Sequence, residues 1–176
     1  GIVVKIKGEE NMFEYVLFDL DGTLTDPKEG ITTCVQHALK YFGIEEPDND
    51  KLTPFIGPPL TDSFKEFYGF DDEQAQMGLV KYRERFSTIG WKENEIYPGM
   101  EDMLKGLYDK GIKLAVASSK PRVFVEKILE LFNIREYFKV VCGAELDGSR
   151  NSKPAVMKEA FVRLGIVTDV DADSIT

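Results

Sequence analysis

The sequence predicts an α/β protein in which a parallel sheet carries an inserted helical module. Two observations predict the sheet: short continuous apolar runs end in glycine or polar residues, and amphipathic helical patterns lie between them. A third observation predicts the module, because residues 26–97 contain helical patterns and no convincing strand. The predicted boundaries are residues 12–25 and 98–176 for the core and 26–97 for the helical module.

The predicted core alternates strands and helices. Its strands are the apolar runs at residues 15–18, 112–117 and 138–142. Each run has the length of a strand that is buried on both faces, as in a parallel sheet. The helices between and after them show three apolar stripes at helical spacing. These stripes are Met100, Met103, Leu104, Leu107 and Tyr108; Val125, Ile128, Leu129 and Phe132; and Val156, Met157, Ala160, Phe161 and Leu164.

The predicted module contains three amphipathic helices, and Thr61 is the expected N-cap of the second. Pro27 and Pro98 stand near the two ends of the module, where linkers to the core are expected. Residues 1–11 contain a short apolar run without the pattern of a signal peptide. They are interpreted as a leader, a tag remnant or an extra edge strand, and the sequence does not separate these alternatives.

The charge balance narrows the partners. The chain of 176 residues has 31 acidic and 22 basic residues and a formal net charge of −9. This excess of acid disfavours nucleic acid and anionic membranes, which attract positive charge, but allows a small anionic metabolite in a locally basic pocket. No segment approaches the roughly 20 apolar residues of a membrane span. The two cysteines form no CxxC pattern. The expectation is a cytoplasmic monomer or homodimer with free thiols.

The strongest chemical signal is Asp-Leu-Asp-Gly-Thr-Leu-Thr at residues 19–25, directly after the first apolar run. Ligands of open α/β sheets bind where strands end. There Asp19 can attack phosphorus as a nucleophile, and Asp21 can protonate the leaving group. Gly22 allows the sharp turn between strand and loop. Two carboxylates facing a phosphate require a divalent cation, so Asp19 and Asp21 are the candidate ligands of Mg²⁺. An ordinary surface turn is the alternative.

In this context the run at residues 19–25 resembles the first motif of the haloacid dehalogenase superfamily. The resemblance implies a three-layer α/β/α core with a small helical cap domain, Asp19 as the nucleophile and Mg²⁺ as the cofactor. It also implies that Gly22 and Thr23 lie against the phosphoryl group.

Two further motifs resemble the same family. Ser118 ends the second predicted strand, and the following Ser119-Lys120-Pro121 resembles the turn of phosphoglycolate-phosphatase-like members. The resemblance implies that Ser118 and Ser119 bind the phosphoryl oxygens, and that Lys153, before the last predicted helix, neutralises the nucleophile and the phosphate. An ordinary helix-cap serine and a solvated surface lysine are the alternatives.

Two other features follow from the resemblance. The turn around Gly57 and Pro58 resembles the substrate-facing loop of the family's cap, although a structural turn is equally expected. A fourth motif with further acidic metal ligands is expected after another strand, and the residues from 166 onward do not contain it. The expectation is therefore a shortened chain from an enzyme parent that binds Mg²⁺ weakly.

The predicted function is Mg²⁺-dependent hydrolysis of a small phosphate monoester, either phosphoglycolate-like or nucleotide-like, through an aspartyl-phosphate. Two alternatives stay open. A phosphomutase would use the same pair of aspartates, and a truncated non-catalytic protein would bind phosphate or another protein without turnover.

Overall fold

The computed structural model describes residues 3–7 and 14–165 of the chain. It divides into two compact units: a core unit of Gly1–Asp26 and Ile96–Thr176, and a helical unit of Pro27–Glu95. The first division follows Asp26, and the second lies between Glu95 and Ile96. In the described part of the chain, every helix is too short or too polar to traverse a lipid bilayer.

The strands of the described residues are β1 (Val3–Lys7), β2 (Glu14–Phe18), β3 (Thr25–Asp26), β4 (Glu95–Ile96), β5 (Lys113–Pro121) and β6 (Phe138–Ala144). The core sheet has the order β1-β2-β5-β6, and β3 pairs with β4 in a separate two-stranded sheet. The pairs β2–β5 and β5–β6 are parallel, as predicted. β1 adds an antiparallel strand at the free side of β2, so residues 3–7 form the edge strand that the sequence left as one of three alternatives.

The parallel register brings the ends of the strands to one edge of the sheet. Phe18 pairs with Val116, and Ala117 pairs with Cys142. β5 continues past the predicted end of the second strand, with a shift of register between Ala117 and Pro121, which pairs with Ala144. The strand extends because residues 118–121 keep an extended backbone along β6 before the next helix begins.

The α-helices of the described residues are α1 (Lys28–Tyr41), α2 (Leu60–Tyr68), α3 (Asp72–Phe86), α4 (Met100–Asp109), α5 (Arg122–Leu131) and α6 (Lys153–Leu164). In the core unit, α6 packs on one face of the sheet, against Leu17, Ala115 and Cys142 among others. The alternate residues Phe18 and Val116 are buried as well. Successive side chains of a strand point to opposite faces, so both faces of the sheet are covered, as the predicted α/β fold requires.

One predicted stripe of the core unit is largely exposed. Of the five apolar residues in the stripe on α4, only Leu104 is buried, whereas Met103 and Tyr108 are exposed. The predicted helix is confirmed, and its stripe makes only a narrow buried contact. A single leucine at the centre of the helix makes the buried contact, and the tyrosine ring lies edge-on against Tyr137 instead.

The helical unit is built from α1, α2 and α3 with a 3₁₀ helix at Asn49–Phe55. Its interior is aromatic, with the ring of Phe64 between those of Phe55 and Phe70. α3 begins with a capping box, in which Asp71 and Gln74 satisfy each other's backbone N–H groups. Thr61 is not the N-cap of α2, because that helix already begins at Leu60 after Pro59, without a side-chain cap.

Candidate functional site

A tight loop after β2 places the first candidate residues. The carbonyl oxygen of Leu20 accepts the backbone N–H groups of three residues, Thr23, Leu24 and Thr25, at 3.2, 2.9 and 3.2 Å. Gly22 adopts a positive φ of 77° and donates its own N–H to the Thr25 carbonyl at 2.9 Å. This conformation favours glycine, since other residues are strained there. The loop therefore folds back directly after the strand, with an aspartate at residue 19 and another at residue 21.

Lys153 and Asp19 form the first charged pair. The Lys153 Nζ atom donates to Asp19 Oδ1 at 2.6 Å and to the Ala117 carbonyl oxygen at 3.1 Å. The same carboxylate oxygen accepts the Leu20 N–H at 2.9 Å. Lys153 is the first residue of α6, where the Ser152 side chain caps the helix. The side chains of Asp19 and Lys153 are only 13% and 24% exposed, so the charge of each is stabilised mainly by the other.

A pocket opens beside this pair. Its lining combines the two charged side chains with apolar atoms of β2, β5 and α6: Leu17, Phe18, Asp19, Ala117, Lys153 and Met157. Apolar walls lower the local dielectric constant and strengthen the field of a lysine on a bound anion. The pocket thus joins an anionic side chain and a cation in a partly dry environment.

Lys120 and Asp21 form the second pair, and it is more deeply buried. Lys120 Nζ lies 3.1 Å from Asp21 Oδ2, with the two side chains 6% and 7% exposed. The sequence interpretation used Lys120 only as part of a turn and assigned it no role. The second predicted strand was expected to end at Ser118, so Lys120 was not placed on it. The structure extends β5 to Pro121, with a shift of register after Ala117.

Burial and the neighbouring lysine act in opposite directions on the pKa of Asp21. Burial raises the pKa of Asp21 above its usual value because it disfavours the charged form, and the ion pair with Lys120 offsets part of this shift. Among the described residues, four buried side-chain atoms lack a hydrogen-bond partner, and three belong to this loop: Asp21 Oδ1, Thr23 Oγ1 and Thr25 Oγ1. Buried polar groups are normally satisfied, so this loop can accept an interaction that the described residues do not supply.

Of the other predicted residues, some lie in the core unit and some in the helical unit. Ser118 is buried at the strand end, where its Oγ accepts the Lys120 N–H at 3.2 Å, and Ser119 beside it is half-buried. Arg150, a weaker candidate, has an exposed side chain that pairs with Glu159 at 3.6 Å. Gly57 and Pro58 lie in an exposed turn of the helical unit, between the 3₁₀ helix and α2. Their role in substrate contact stays a prediction.

The residues fit a divalent cation in part. Asp19 and Asp21 each offer a carboxylate, and each has one oxygen bound to a lysine. Asp21 Oδ1 is buried without a partner, which suits an atom that receives either a proton or a cation. In residues 3–7 and 14–165 no group of three or more His, Cys, Asp or Glu side chains could hold a metal. Mg²⁺ would thus need further oxygen ligands, such as water or phosphate. The predicted lack of a fourth motif concerns residues from 166 onward, outside the described residues.

Comparison with known proteins places this site in context. The family model described as haloacid dehalogenase-like hydrolase matches residues 16–170. The chain is 45% identical to a 5'-nucleotidase of Pseudomonas aeruginosa over 154 residues, which cover 88% of this chain and 70% of the nucleotidase. It is 31% identical to a phosphoglycolate phosphatase of Aquifex aeolicus, covering 90% of this chain and 76% of that protein.

Two other relatives bear on the length and the fold. Tyrosine-protein kinase PtkA of Mycobacterium tuberculosis is 39% identical over 151 residues, and the chain spans 51% of its length. The crystal structure of a predicted phosphatase from Clostridium acetobutylicum matches with a TM-score of 0.86 at 46% identity. That match covers 88% of this chain and 72% of the other. Relatives with one fold thus carry names of both phosphate-removing and phosphate-transferring enzymes.

Proposed function

We propose that this chain, which belongs to the haloacid dehalogenase-like hydrolase family, hydrolyses a small phosphate monoester through an aspartyl-phosphate on Asp19, with Mg²⁺ as the cation. By family and by its phosphatase relatives, the chain is a phosphoric monoester hydrolase. The nucleophile, the cation and the substrate are the proposed part. The observation that supports them is the contact of Lys153 with Asp19 and with the Ala117 carbonyl oxygen of β5, because it brings a carboxylate and a cation together.

In the proposed reaction Asp19 attacks the phosphorus atom and the ester bond to the leaving oxygen breaks. Asp21 gives its proton to that oxygen, and the product alcohol departs. Asp21 then takes a proton from a water molecule, which attacks the phosphorus of the aspartyl-phosphate and releases inorganic phosphate. A bound Mg²⁺ would offset the negative charge of the carboxylates and the phosphate. Asp19 would hold this cation, and Asp21 would join it only while its carboxyl group is deprotonated. The raised pKa of Asp21 supports its part as proton donor, since the carboxyl group keeps its proton to higher pH.

The residues around the two aspartates are proposed to hold the phosphoryl group: Gly22, Thr23, Ser118, Ser119 and Lys153. The buried Thr23 Oγ1 supports this, since it is a donor without a hydrogen-bond partner. We propose that Gly57 and Pro58 of the helical unit contact the part of the substrate beyond the phosphate. Among substrates we favour a nucleoside monophosphate over phosphoglycolate, because the nucleotidase relative shares 45% identity and the phosphoglycolate phosphatase 31%.

The partner in this proposal is a small phosphorylated metabolite, without nucleic acid or membrane. A reducing compartment, and so the cytoplasm, is supported by two buried cysteines that are both free thiols. The oligomeric state, monomer or homodimer, stays a prediction.

The test is phosphate release from nucleoside 5'-monophosphates and from phosphoglycolate, with Mg²⁺ and after chelation by EDTA. We expect release to require Mg²⁺ and to fall by more than ~10³-fold in Asp19→Asn, which removes the nucleophile. Asp102→Asn is the matched control, because Asp102 is exposed on α4 of the same unit. Full activity of Asp19→Asn would exclude Asp19 as the nucleophile.

A second candidate is transfer of the phosphoryl group to an acceptor other than water, as in a phosphomutase or a kinase. The 39% identity to a protein named tyrosine-protein kinase PtkA supports this second candidate. The two reactions differ in where the phosphate goes. Transfer predicts labelled phosphate on a sugar phosphate or on protein, whereas hydrolysis predicts it in solution. If neither appears and phosphate only binds, the non-catalytic alternative is supported.

A further inference from the structure

We propose that Lys120 is a positioning residue that fixes the carboxyl group of Asp21 for proton transfer to the leaving oxygen. The proposal rests on the proposed function, since it gives Asp21 the part of acid and base. Three observations support it: the buried contact between Lys120 and Asp21, the pairing of the segment around Lys120 with β6, and an Asp21 oxygen that has no hydrogen-bond partner among the described residues.

The contact is costly to build. A lysine ammonium group and a carboxylate that are 6% and 7% exposed have both lost most of their water. Such groups are rarely buried unless they are paired, and removal from water costs each ion several kcal/mol. The buried pair is therefore explained better by a need for a fixed Asp21 than by stability alone.

The backbone that carries Lys120 is fixed by β6. The backbone N–H of Lys120 donates to Ser118 Oγ at 3.2 Å, and Pro121 pairs with Ala144 of β6. Gly143 makes this approach possible: a Cβ atom there would lie 2.7 Å from the Lys120 carbonyl oxygen and from the backbone of Arg122. A contact that short occurs with essentially no real Cβ atom, so any side chain at residue 143 would push the segment away.

The pair leaves one oxygen of Asp21 for chemistry. Lys120 binds Oδ2, while Oδ1 is buried and has no hydrogen-bond partner among the described residues. On the other carboxylate, Lys153 binds Oδ1 of Asp19. The two lysines thus serve different aspartates, and so different events. Loss of Lys120 should impair proton transfer to the leaving oxygen more than the attack on phosphorus.

The test compares leaving groups in single-turnover experiments on the full chain with Mg²⁺. p-Nitrophenyl phosphate releases a stable anion and needs no proton, whereas a nucleoside monophosphate releases an alkoxide that does. In Lys120→Met we expect nucleoside release to fall by about 100-fold, the range of general acid catalysis. Nitrophenolate release should fall by less than about fivefold. Lys120→Arg should recover part of the loss, and Lys105→Met on α4 should leave both rates unchanged.

An equal loss with both substrates would overturn the proposal, because a structural or phosphate-binding role affects both alike. An unchanged rate with both would overturn it as well. If Lys120→Met does not fold, Gly143→Ala provides the same comparison, since it keeps the lysine and displaces its backbone. Failure of the proposed function is distinguishable: the natural chain would then be inactive, or Asp19→Asn would remain active, before any lysine is changed.

Discussion

The two units of the molecule differ in their buried charged side chains. In the core unit two aspartates and two lysines form buried pairs, and residues 21–25 have three buried atoms without partners among the described residues. In the helical unit the ion pairs Lys28–Asp50 and Lys65–Asp72 are exposed, and Lys81–Glu84 is partly exposed. Buried unsatisfied groups are costly, and proteins retain them chiefly where they act on something else. The contrast supports the proposal that the chemistry takes place in the core unit.

The helical unit does contain one partly buried charged cluster, and it is closed on itself. Arg85 donates to both carboxylate oxygens of Glu93, at 2.6 and 3.1 Å, and to Cys34 Sγ at 3.3 Å. A planar guanidinium matches a carboxylate in this two-bond geometry. This cluster holds α1 and α3 to the segment that leaves the unit. Ser63 Oγ is the exception there, a buried atom with no partner among the described residues.

The largest effect should come from breaking the core unit's first charged pair. Lys153→Met leaves the Asp19 carboxylate without its cation, and we expect phosphate release to fall by ~10²–10³-fold, as for other groups that stabilise developing charge. Lys158→Met on the exposed side of α6 is the control. The measurement is single-turnover phosphate release with Mg²⁺. If Lys158→Met lost activity and Lys153→Met kept it, the role assigned to Lys153 would be contradicted.

An intermediate effect is expected on the free energy of unfolding when one glycine in each unit is replaced by alanine. In Gly30→Ala the new methyl group meets backbone oxygens of Gly90 and Glu93 within the helical unit, the second at 2.9 Å. We expect this overpacking to lower the free energy of unfolding by about 1–3 kcal/mol. Gly106→Ala, in α4, meets nothing within 4 Å and should raise it by about 0.5–1 kcal/mol. Urea unfolding measures both. If both substitutions changed the free energy of unfolding in the same direction, the close contact at residue 30 would be relieved by movement of neighbouring residues.

The smallest effect should be seen with the thiols, one in each unit. Cys34 and Cys142 are both buried, and burial raises the pKa of Cys142. The raised pKa lowers the thiolate fraction of Cys142 at neutral pH, and burial restricts access to both thiols, so alkylation should be slow at both sites until the protein unfolds. Peptide mass spectrometry at increasing urea concentration tells which cysteine reacts first, and so which unit opens first. Rapid alkylation in the native state would contradict the burial.

Sequence patterns carried the fold well where the signal was local. Continuous apolar runs predicted β2, β5 and β6, and the parallel sheet is confirmed. Patterns failed where an outcome depends on tertiary neighbours. Met103 and Tyr108 fit a helical stripe but lie outside the narrow contact of α4. Lys120 was given no role, because the second strand was expected to end at Ser118, whereas β5 continues to Pro121 along β6.

The edge strand β1 has a consequence for the residue that the site depends on. β2 is hydrogen-bonded along both of its sides, to residues 3–7 on one and to β5 on the other. An interior strand opens only when one of its neighbours detaches, and amide hydrogen exchange in such strands is governed by the larger opening events of a domain. The carboxylate that follows Phe18 is therefore mounted on one of the stiffest parts of the sheet. The position of the Asp19 carboxylate is therefore fixed before a ligand binds, and little conformational entropy is lost on binding.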